Sequence, residues 1–435
     1  MSSRSLPTPP ERRAQGAARV MAFFVANVLF AAGLFAHAFL YNFYLDALGL
    51  GEGVMGVAAA SLTAGGLAAL VPAGVLVDRI GPRAAFAASA LVATLGLALG
   101  AWVTSPPTVY LAAFVAGAGT AGWRVTMGPF VMRVATPAAR TRVFSWNVAL
   151  LLASGAAWTA AAGAIPRWLG GALGGELAGL RAGLLLGALG TLLSVAALVP
   201  ARLGGASPDE EERGGAPRPP RSAGRPAGER GVAGLPRGLL LAVVFVWLWM
   251  TAGGLVLPFF NLYFQRVHGL PIERVGLLLA AVQGATALAV FGSGEWAYRS
   301  GPLRTLAAWT LLFPPLLWGL AAAGTLGPAV ALFLLQGIVP PATNPLIDQL
   351  LLERAPGERQ GLVSGWRNGA TEMSGLVGGS AGGFLLQHGS FAALLATAGA
   401  VALAGGLGLV ATLRRLDRSP AAAPSAAGAP RPSGG

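Results

Sequence analysis

The chain has 435 residues, of which 54% are hydrophobic and only 11% are charged, and its mean hydropathy is +0.65. Soluble domains carry about a quarter charged residues, so this composition indicates a membrane protein. The net charge of +13 comes from arginines in short connections between apolar runs, which does not indicate a nucleic-acid-binding surface. The absence of cysteine excludes disulfides and thiolate metal sites, and the three histidines have no metal-ligand spacing.

Residues 1–18 are polar and are predicted to be a disordered tail. The apolar run that follows is too long for a cleaved signal peptide, so we expect it to be retained. Each apolar run long enough to span a bilayer, which takes about 20 residues, is expected to be helical because an open sheet edge cannot satisfy its backbone in lipid. The first six helices are predicted at 19–45, 54–77, 83–103, 108–134, 141–165 and 181–200.

Residues 201–236 are rich in Pro, Gly and Arg without apolar periodicity, which is typical of a linker. Six more helices are predicted at 238–265, 273–297, 303–324, 328–352, 361–387 and 391–413. The expected organisation is therefore a tail, a bundle, a linker, a second bundle and a second disordered tail, at 1–18, 19–200, 201–236, 237–413 and 414–435.

The segment 74–83, GVLVDRIGPR, places three charged residues and a turn between two long apolar runs. Glycine ends a helix at low cost and proline suits the first position of the next one, so Gly81-Pro82 predicts a tight corner between helices 2 and 3. Asp78 lies near a helix C-terminus, where the helix dipole disfavours it. We therefore expect it to have a partner, such as a neighbouring arginine or an N–H group of the following helix. The alternative is a solvated polar loop.

A second copy of this segment occurs 220 residues later, as GEWAYRSGPLR at 294–304. It is degenerate, because Tyr298 stands in place of Asp78. A further match joins Asn42-Phe-Tyr-Leu to Asn261-Leu-Tyr-Phe at an offset of 219. Matches in separate regions at nearly one offset indicate that the chain is a duplication.

The loop pattern G-x-L-x-D-R-x-G-x-R resembles the helix 2–3 signature of the major facilitator superfamily, and it is carried here by Gly74, Leu76, Asp78, Arg79, Gly81 and Arg83. The resemblance implies an all-α membrane protein of twelve helices, built as two six-helix repeats related by an axis along the membrane normal. It also implies that this loop acts as a conformational switch.

Arginine placement predicts the orientation. Of the 30 arginines, 24 fall in the termini, the linker and the even-numbered connections, whereas four fall in the odd-numbered ones, namely Arg167, Arg181, Arg266 and Arg274. The positive-inside rule therefore places both termini and the linker in the cytoplasm, with the chain in the cell membrane.

Polar groups inside the spans are the candidate site residues, because an ionisable side chain at bilayer depth is costly unless it faces a partner or water. In the superfamily that the chain resembles, helices 1, 4, 7 and 10 line the central cavity, with helices 2, 5, 8 and 11 beside them, which agrees with where these residues fall. The candidates for substrate contact are Asn27, His37, Asn42, Arg124, Asn261, Tyr263 and Asn344. The candidates for proton coupling are Glu372 and Asp348.

Arg124 and Glu372 lie about 15 to 16 Å along their helices from the cytoplasmic end, and so at similar depth. Glu372 is interpreted as a proton carrier, with Arg124 as its partner or as the anchor for an anionic substrate. The alternative is a static ion pair between the halves. Asp348 and Arg367 are expected to form either a packing salt bridge or a gate. The prolines at 340, 341 and 345 are predicted to break helix 10, or else to kink it for packing alone.

The function expected from these features is secondary active transport of a small molecule by alternating access, coupled to protons, by a monomer in the lipid bilayer. No phosphate-binding loop is present in the sequence, and the formal G-x-G-x-x-G at residues 117–122 lies inside an apolar helix, where it indicates helix packing. No cofactor, metal or nucleic acid is expected. The alternatives are a membrane-embedded enzyme, for which no catalytic constellation is found, and a transport-inactive sensor.

Overall fold

The computed structural model describes residues 9–135, 137–198, 236–356 and 359–418. Nearly all of these residues are helical, and no strand occurs among them, so the predicted all-α fold is confirmed. They form twelve long helical segments, which we name α1 to α12. Nine of the described helices are long and apolar enough to cross a membrane. The full count of twelve crossings stays a prediction.

The N-terminal half consists of α1 Pro9–Ala47, α2 Glu52–Ile80, α3 Pro82–Gly100, α4 Pro106–Val134, α5 Pro137–Leu173 and α6 Glu176–Ala197. The first helix begins at Pro9, inside the stretch that the sequence predicted to be a disordered tail. Proline suits a first helical turn, and the Glu, Arg and Ala residues that follow are good helix formers. Residues 1–8 lie outside the described part of the chain.

The C-terminal half begins with α7, Arg237–Arg266, which is interrupted by a 3₁₀ turn at Leu257–Phe259. It continues with α8 Ile272–Ser300, α9 Pro302–Ala322, α10 Leu326–Glu353, α11 Gln360–His388 and α12 Phe391–Arg418. The last helix extends five residues into the predicted second tail, because residues 414–418 are helical. The linker residues 201–235 and the tail residues 419–435 lie outside the described residues.

The predicted break in helix 10 is wrong. The helix is continuous through its three interior prolines, and the interruption occurs in α7 instead, at Pro258. Pro341 lacks the N–H that would bond to the carbonyl of Gly337, but the hydroxyl of Thr286 on α8 donates to that oxygen at 3.3 Å. A neighbouring helix thus satisfies a carbonyl that proline leaves free, as is common in membrane proteins.

Both predicted glycine–proline corners are present. Gly81 has φ +80° and Gly301 has φ +88°, a region that glycine enters without steric cost, and a proline opens the next helix in each case. The repeat seen in the sequence is therefore a structural repeat at this point. We call the end of the bundle that contains these corners the basic end, and the other end, with loops 48–51 and 267–271, the opposite end.

The two halves pack through α2 against α11 and through α5 against α8, close to the opposite end. Gly56 lies against Gly383 in the first crossing, and Gly276 lies against Gly163 in the second. Residues 56 and 276, and residues 163 and 383, are each 220 apart, so the crossings are equivalent. A Cβ at Gly56 would come within 2.4 Å of the carbonyl oxygen of Gly379, which shows that the helix backbones are in direct contact.

Candidate functional site

Arg124 on α4 and Glu372 on α11 form an ion pair between the two halves. Arg124 Nη2 lies 3.3 Å from Glu372 Oε1, and the two side chains are 59% and 24% exposed. Because the pair joins α4 of one half to α11 of the other, this accessible surface lies at the boundary between the halves. Gly66 on α2 lies next to the guanidinium, since a Cβ there would be 4.0 Å from Nη2. The proximity predicted for these two residues is found.

Among the described residues, the guanidinium of Arg124 donates one hydrogen bond, which goes to Glu372. Arginine carries five N–H donors in a planar fork, and only one of them donates to Glu372 here. The donors that face the open space suit a carboxylate or phosphate group, which arginine binds through two parallel hydrogen bonds. An anion bound in this way would compete with Glu372 for the guanidinium.

A second charged cluster lies inside the C-terminal half. Arg367 Nε is 2.7 Å from Asp348 Oδ1, and Arg367 Nη2 donates to Asn344 Oδ1 at 3.3 Å. All three residues belong to α10 and α11, so the pair stays within one half. The geometry supports the packing salt bridge rather than the gate, and it brings Asp348 and Asn344 together with each other but not with Arg124.

Asn27 is buried in a hydrogen-bonded cluster that joins three helices. Its Nδ2 donates to Asn147 Oδ1 at 2.7 Å, and Trp123 Nε1 donates to its Oδ1 at 2.7 Å. The ring of Trp123 stacks on Phe30 at 4.1 Å. Both amide atoms of Asn27 are therefore satisfied by protein, and the geometry favours a packing role within the N-terminal half over substrate contact.

His37 is also buried, and it points toward α3 rather than toward the other half. Its ring stacks on Tyr41 at 4.1 Å, and a Cβ at Gly100 would lie 3.7 Å from the imidazole. The structure therefore does not bring His37 to the Arg124–Glu372 pair.

Asn42, Asn261 and Tyr263 lie at the opposite end, away from the open space. Asn42 Nδ2 donates to the carbonyl of Pro258, and Asn261 Nδ2 donates to the carbonyl of Phe39 at 2.9 Å. Tyr263 donates its hydroxyl to the carbonyl of Leu320 at 2.8 Å. Asn42 and Asn261 join the two halves at this end, whereas the bond of Tyr263 stays within the C-terminal half. None of the three is positioned to contact a ligand beside Arg124.

Sequence reasoning missed the charged rim of this end. Arg266 on α7 pairs with Asp46 and Glu52 of the N-terminal half, and Arg167 Nη1 lies 3.4 Å from Glu273 Oε1 in the other half. The only sequence signal was that Arg266 and Arg167 belong to the four arginines on the sparsely basic side. That signal gives their side of the membrane but not their partners.

A model of the Major Facilitator Superfamily matches residues 23–313 and 247–433. The chain belongs to the major facilitator superfamily. The resemblance carried by the helix 2–3 loop is thereby confirmed, and the chain is a multi-pass membrane protein with a transporter fold rather than the fold of an enzyme.

Solved structures agree on the fold of this major facilitator chain. The nucleoside transporter NupG has a TM-score of 0.71 at 12% identity over 93% of this chain and 99% of its own. A bacterial homologue of the lysosomal transporter Spinster, in an inward-facing and occupied conformation, has a TM-score of 0.68 at 14% identity over 94% and 96%. A D-xylose–proton symporter has 0.65 at 14% identity over 90% and 96%. No curated protein matches the chain in sequence.

The superfamily loop lies at the basic end, clear of the other half. Asp78 is exposed and makes no hydrogen bond or ion pair with a described residue, so the predicted partner is not found. A Cβ at Gly74 would meet nothing within 4 Å, and Tyr298 in the second copy is 88% exposed. Arg83 anchors the loop by donating from Nε to the carbonyl of Leu198 at 3.0 Å. The conformational-switch role predicted for this loop, including Arg79 and Gly81, stays a prediction.

Proposed function

We propose that this chain is a secondary active transporter that moves a small molecule across the cytoplasmic membrane by alternating access. The observation that carries the proposal is the Arg124–Glu372 pair, which joins the two halves in the middle of the bundle and faces open space. Among the described residues, further contacts between the halves lie between this pair and the opposite end, such as Gln283 to Thr159 at 2.9 Å and the rim pairs of Arg266. This arrangement is that of a transporter closed at one end and open at the other.

The energy source we propose is a proton gradient acting through Glu372. The sequence has no phosphate-binding loop for ATP. A carboxylate that is paired with arginine in one state and separated from it in another needs a different positive charge in the second state. A proton is the smallest cation that can replace the arginine. Arg124 would then hold either Glu372 or an anionic group of the substrate, but not both through the same donors.

The substrate class follows from the free donors of Arg124 rather than from the neighbours. The solved structures include a nucleoside transporter, a D-xylose–proton symporter and a proton-dependent oligopeptide transporter, so the shared fold accommodates several chemistries. A guanidinium with unused donors favours a ligand that carries a carboxylate or phosphate. We therefore propose a small anionic or zwitterionic substrate.

A thermal-shift panel on purified protein tests this function. Nucleosides, D-xylose, dipeptides and simple carboxylates are compared at equal concentration in the parent, in Arg124→Gln and in Arg274→Gln, whose arginine is exposed at the opposite end. We expect carboxylate-bearing ligands to stabilise the parent and Arg274→Gln but not Arg124→Gln, because a ligand that binds only the folded state raises its stability. Stabilisation by neutral ligands alone, equal in all three proteins, would refute the anionic class.

The orientation we propose places the basic end, both termini and the linker in the cytoplasm, which rests on the arginine distribution. The protein is proposed to act as a monomer. The chain has no natural cysteine, so a cysteine at the exposed Ser390 of the opposite end can be labelled without background. It should react with an impermeant reagent from outside intact cells, and reaction only after lysis would reverse the orientation.

The switch role of the signature loop gives a further expected result. Asp78→Asn should reduce transport while leaving membrane abundance unchanged, because an exposed side chain without a partner in this state contributes little to the fold but can bind the other half in another state. Its counterpart Tyr298→Phe should behave like the parent. The measurement is uptake normalised to membrane abundance, and parental uptake by Asp78→Asn would end the switch interpretation.

A further inference from the structure

Asn42 and Asn261 make reciprocal hydrogen bonds across the boundary between the halves. Asn42 Nδ2 on α1 donates to the carbonyl of Pro258 on α7, and Asn261 Nδ2 on α7 donates to the carbonyl of Phe39 on α1 at 2.9 Å. Each acceptor lies three residues before the asparagine of its own helix. The two asparagines occupy equivalent positions of the repeat, 219 residues apart, so the two bonds are related by the same two-fold arrangement as the halves.

The interruption of α7 makes one of these acceptors available. In a continuous helix the carbonyl of Pro258 would accept the backbone N–H of Leu262, but that N–H donates to Asn261 Oδ1 at 2.9 Å instead. The carbonyl of Pro258 is thereby free for Asn42. Asn261 thus acts on both sides of the boundary, because its oxygen replaces a helix acceptor while its nitrogen reaches the other half.

The two asparagines are buried in this arrangement. Asn42 is 9% exposed and Asn261 is 2% exposed, and the two amides lie close enough for Asn42 Nδ2 to approach Asn261 Oδ1 at 3.4 Å. A buried amide without a partner is costly, so these side chains favour the state in which both bonds are made. When the halves separate at this end, water replaces the lost partners.

The neighbouring tyrosines provide an internal comparison. Tyr44 donates to the carbonyl of Ala101 and Tyr263 to the carbonyl of Leu320, each at 2.8 Å and each 57 residues further along the chain. These two bonds are also equivalent under the repeat, but each stays within one half. The repeated Asn-x-Tyr element therefore makes one bond that crosses the boundary and one that does not.

We propose that Asn42 and Asn261 form a clasp that holds the opposite end closed and opens once in each transport cycle. The inference rests on the proposed function only in assuming that the halves separate at this end. It assigns these asparagines to the gate, whereas the sequence placed them in the substrate site. Because the clasp joins equivalent backbone positions, it fixes the register of α1 against α7 as well as the closure of the end.

The population of the closed state tests the clasp directly. Spin labels on cysteines at Thr104 and Thr325, exposed residues of the loops before α4 and α10, report the separation of the halves at this end. Asn42→Ala and Asn261→Ala should each shift the ratio of long to short distances about fivefold toward long, the change expected for loss of one net hydrogen bond. The distances are recorded by pulsed electron resonance on protein in nanodiscs, without substrate or gradient.

Three further variants make the result specific. Asn42→Asp keeps the volume but removes the donor, and it should open the end at least as much as Asn42→Ala. Tyr44→Phe and Tyr263→Phe remove the equivalent bonds within each half and should leave the distances unchanged. Unchanged distances in both asparagine variants, or equal shifts in the tyrosine variants, would overturn the clasp. Since no transport is measured, the outcome is independent of whether Glu372 carries a proton.

Discussion

Vesicles that contain Glu372→Gln are expected to lose substrate accumulation driven by a pH gradient, down to the level of protein-free vesicles, while exchange of substrate across the membrane continues. Glutamine keeps the size of the side chain and can still accept a hydrogen bond from Arg124, but it neither binds nor releases a proton. Accumulation needs coupling to the gradient, whereas exchange needs only the movement of the loaded carrier. The measurement is uptake of a ligand found by thermal shift, with and without the gradient.

Glu295→Gln is the matched control for this experiment. Glu295 pairs with Arg299 one turn away on the same helix, and both side chains are exposed, so its loss should leave both activities intact. Retained pH-driven accumulation in Glu372→Gln would exclude the proton carrier. Equal loss of both activities, together with poor folding, would favour the static ion pair between Arg124 and Glu372.

Gly56→Ala is expected to reduce transport strongly in a protein that still folds. The new Cβ would lie 2.4 Å from the carbonyl oxygen of Gly379 and 2.8 Å from the Cα of Gly383, both on α11. These are backbone atoms, so a rotamer change cannot relieve the contact and α2 must move away from α11. Overpacking of this kind costs about 1 to 3 kcal/mol, or roughly 5-fold to 150-fold in the population of the closed state.

Two glycines on the same helix serve as controls. Gly53→Ala would meet only the end of the Gln387 side chain, which can rotate away, so it should transport like the parent. Gly65→Ala would meet the backbone of Phe114 on α4 within one half, so it should lower the abundance of folded protein instead. Uptake is normalised to folded protein in each case. Parental uptake by Gly56→Ala would show that the crossing of α2 and α11 need not close during transport.

The sequence predicted the parts of the fold that depend on local chemistry. Hydropathy and length predicted the helices, and the corners at Gly81 and Gly301 followed from the opposite preferences of glycine and proline. The pairing of Arg124 with Glu372 was also predictable. Ionisable residues inside a membrane span are costly and rare. Arg124 and Glu372 lie at the same depth, so each was expected to be the partner of the other.

The remaining features depend on which surfaces meet, and no local pattern records that. Asn42 and Asn261 were recognised as equivalent, but equivalence under a repeat does not show that the two residues touch. α10 stays continuous through three prolines, and Thr286 of α8 satisfies one of the freed carbonyls, whereas a single proline accompanies the break in α7. No local pattern singles out Asp46 and Glu52, because their role depends on their contact with Arg266 in the fold.

The separation of Arg124 from Glu372 along the chain has a consequence for biosynthesis. The two residues are 248 positions apart, so at ordinary translation rates the carboxylate is made about 12 to 50 s after the guanidinium. If Arg124 lies at the bilayer depth predicted from the sequence, α4 holds a permanent positive charge there during that interval, without its counter-ion. The newly inserted N-terminal half must therefore keep a hydrated recess around Arg124 from the moment it forms. The water-accessible space of the finished protein would then already exist in the inserted N-terminal half, before the C-terminal half is synthesised.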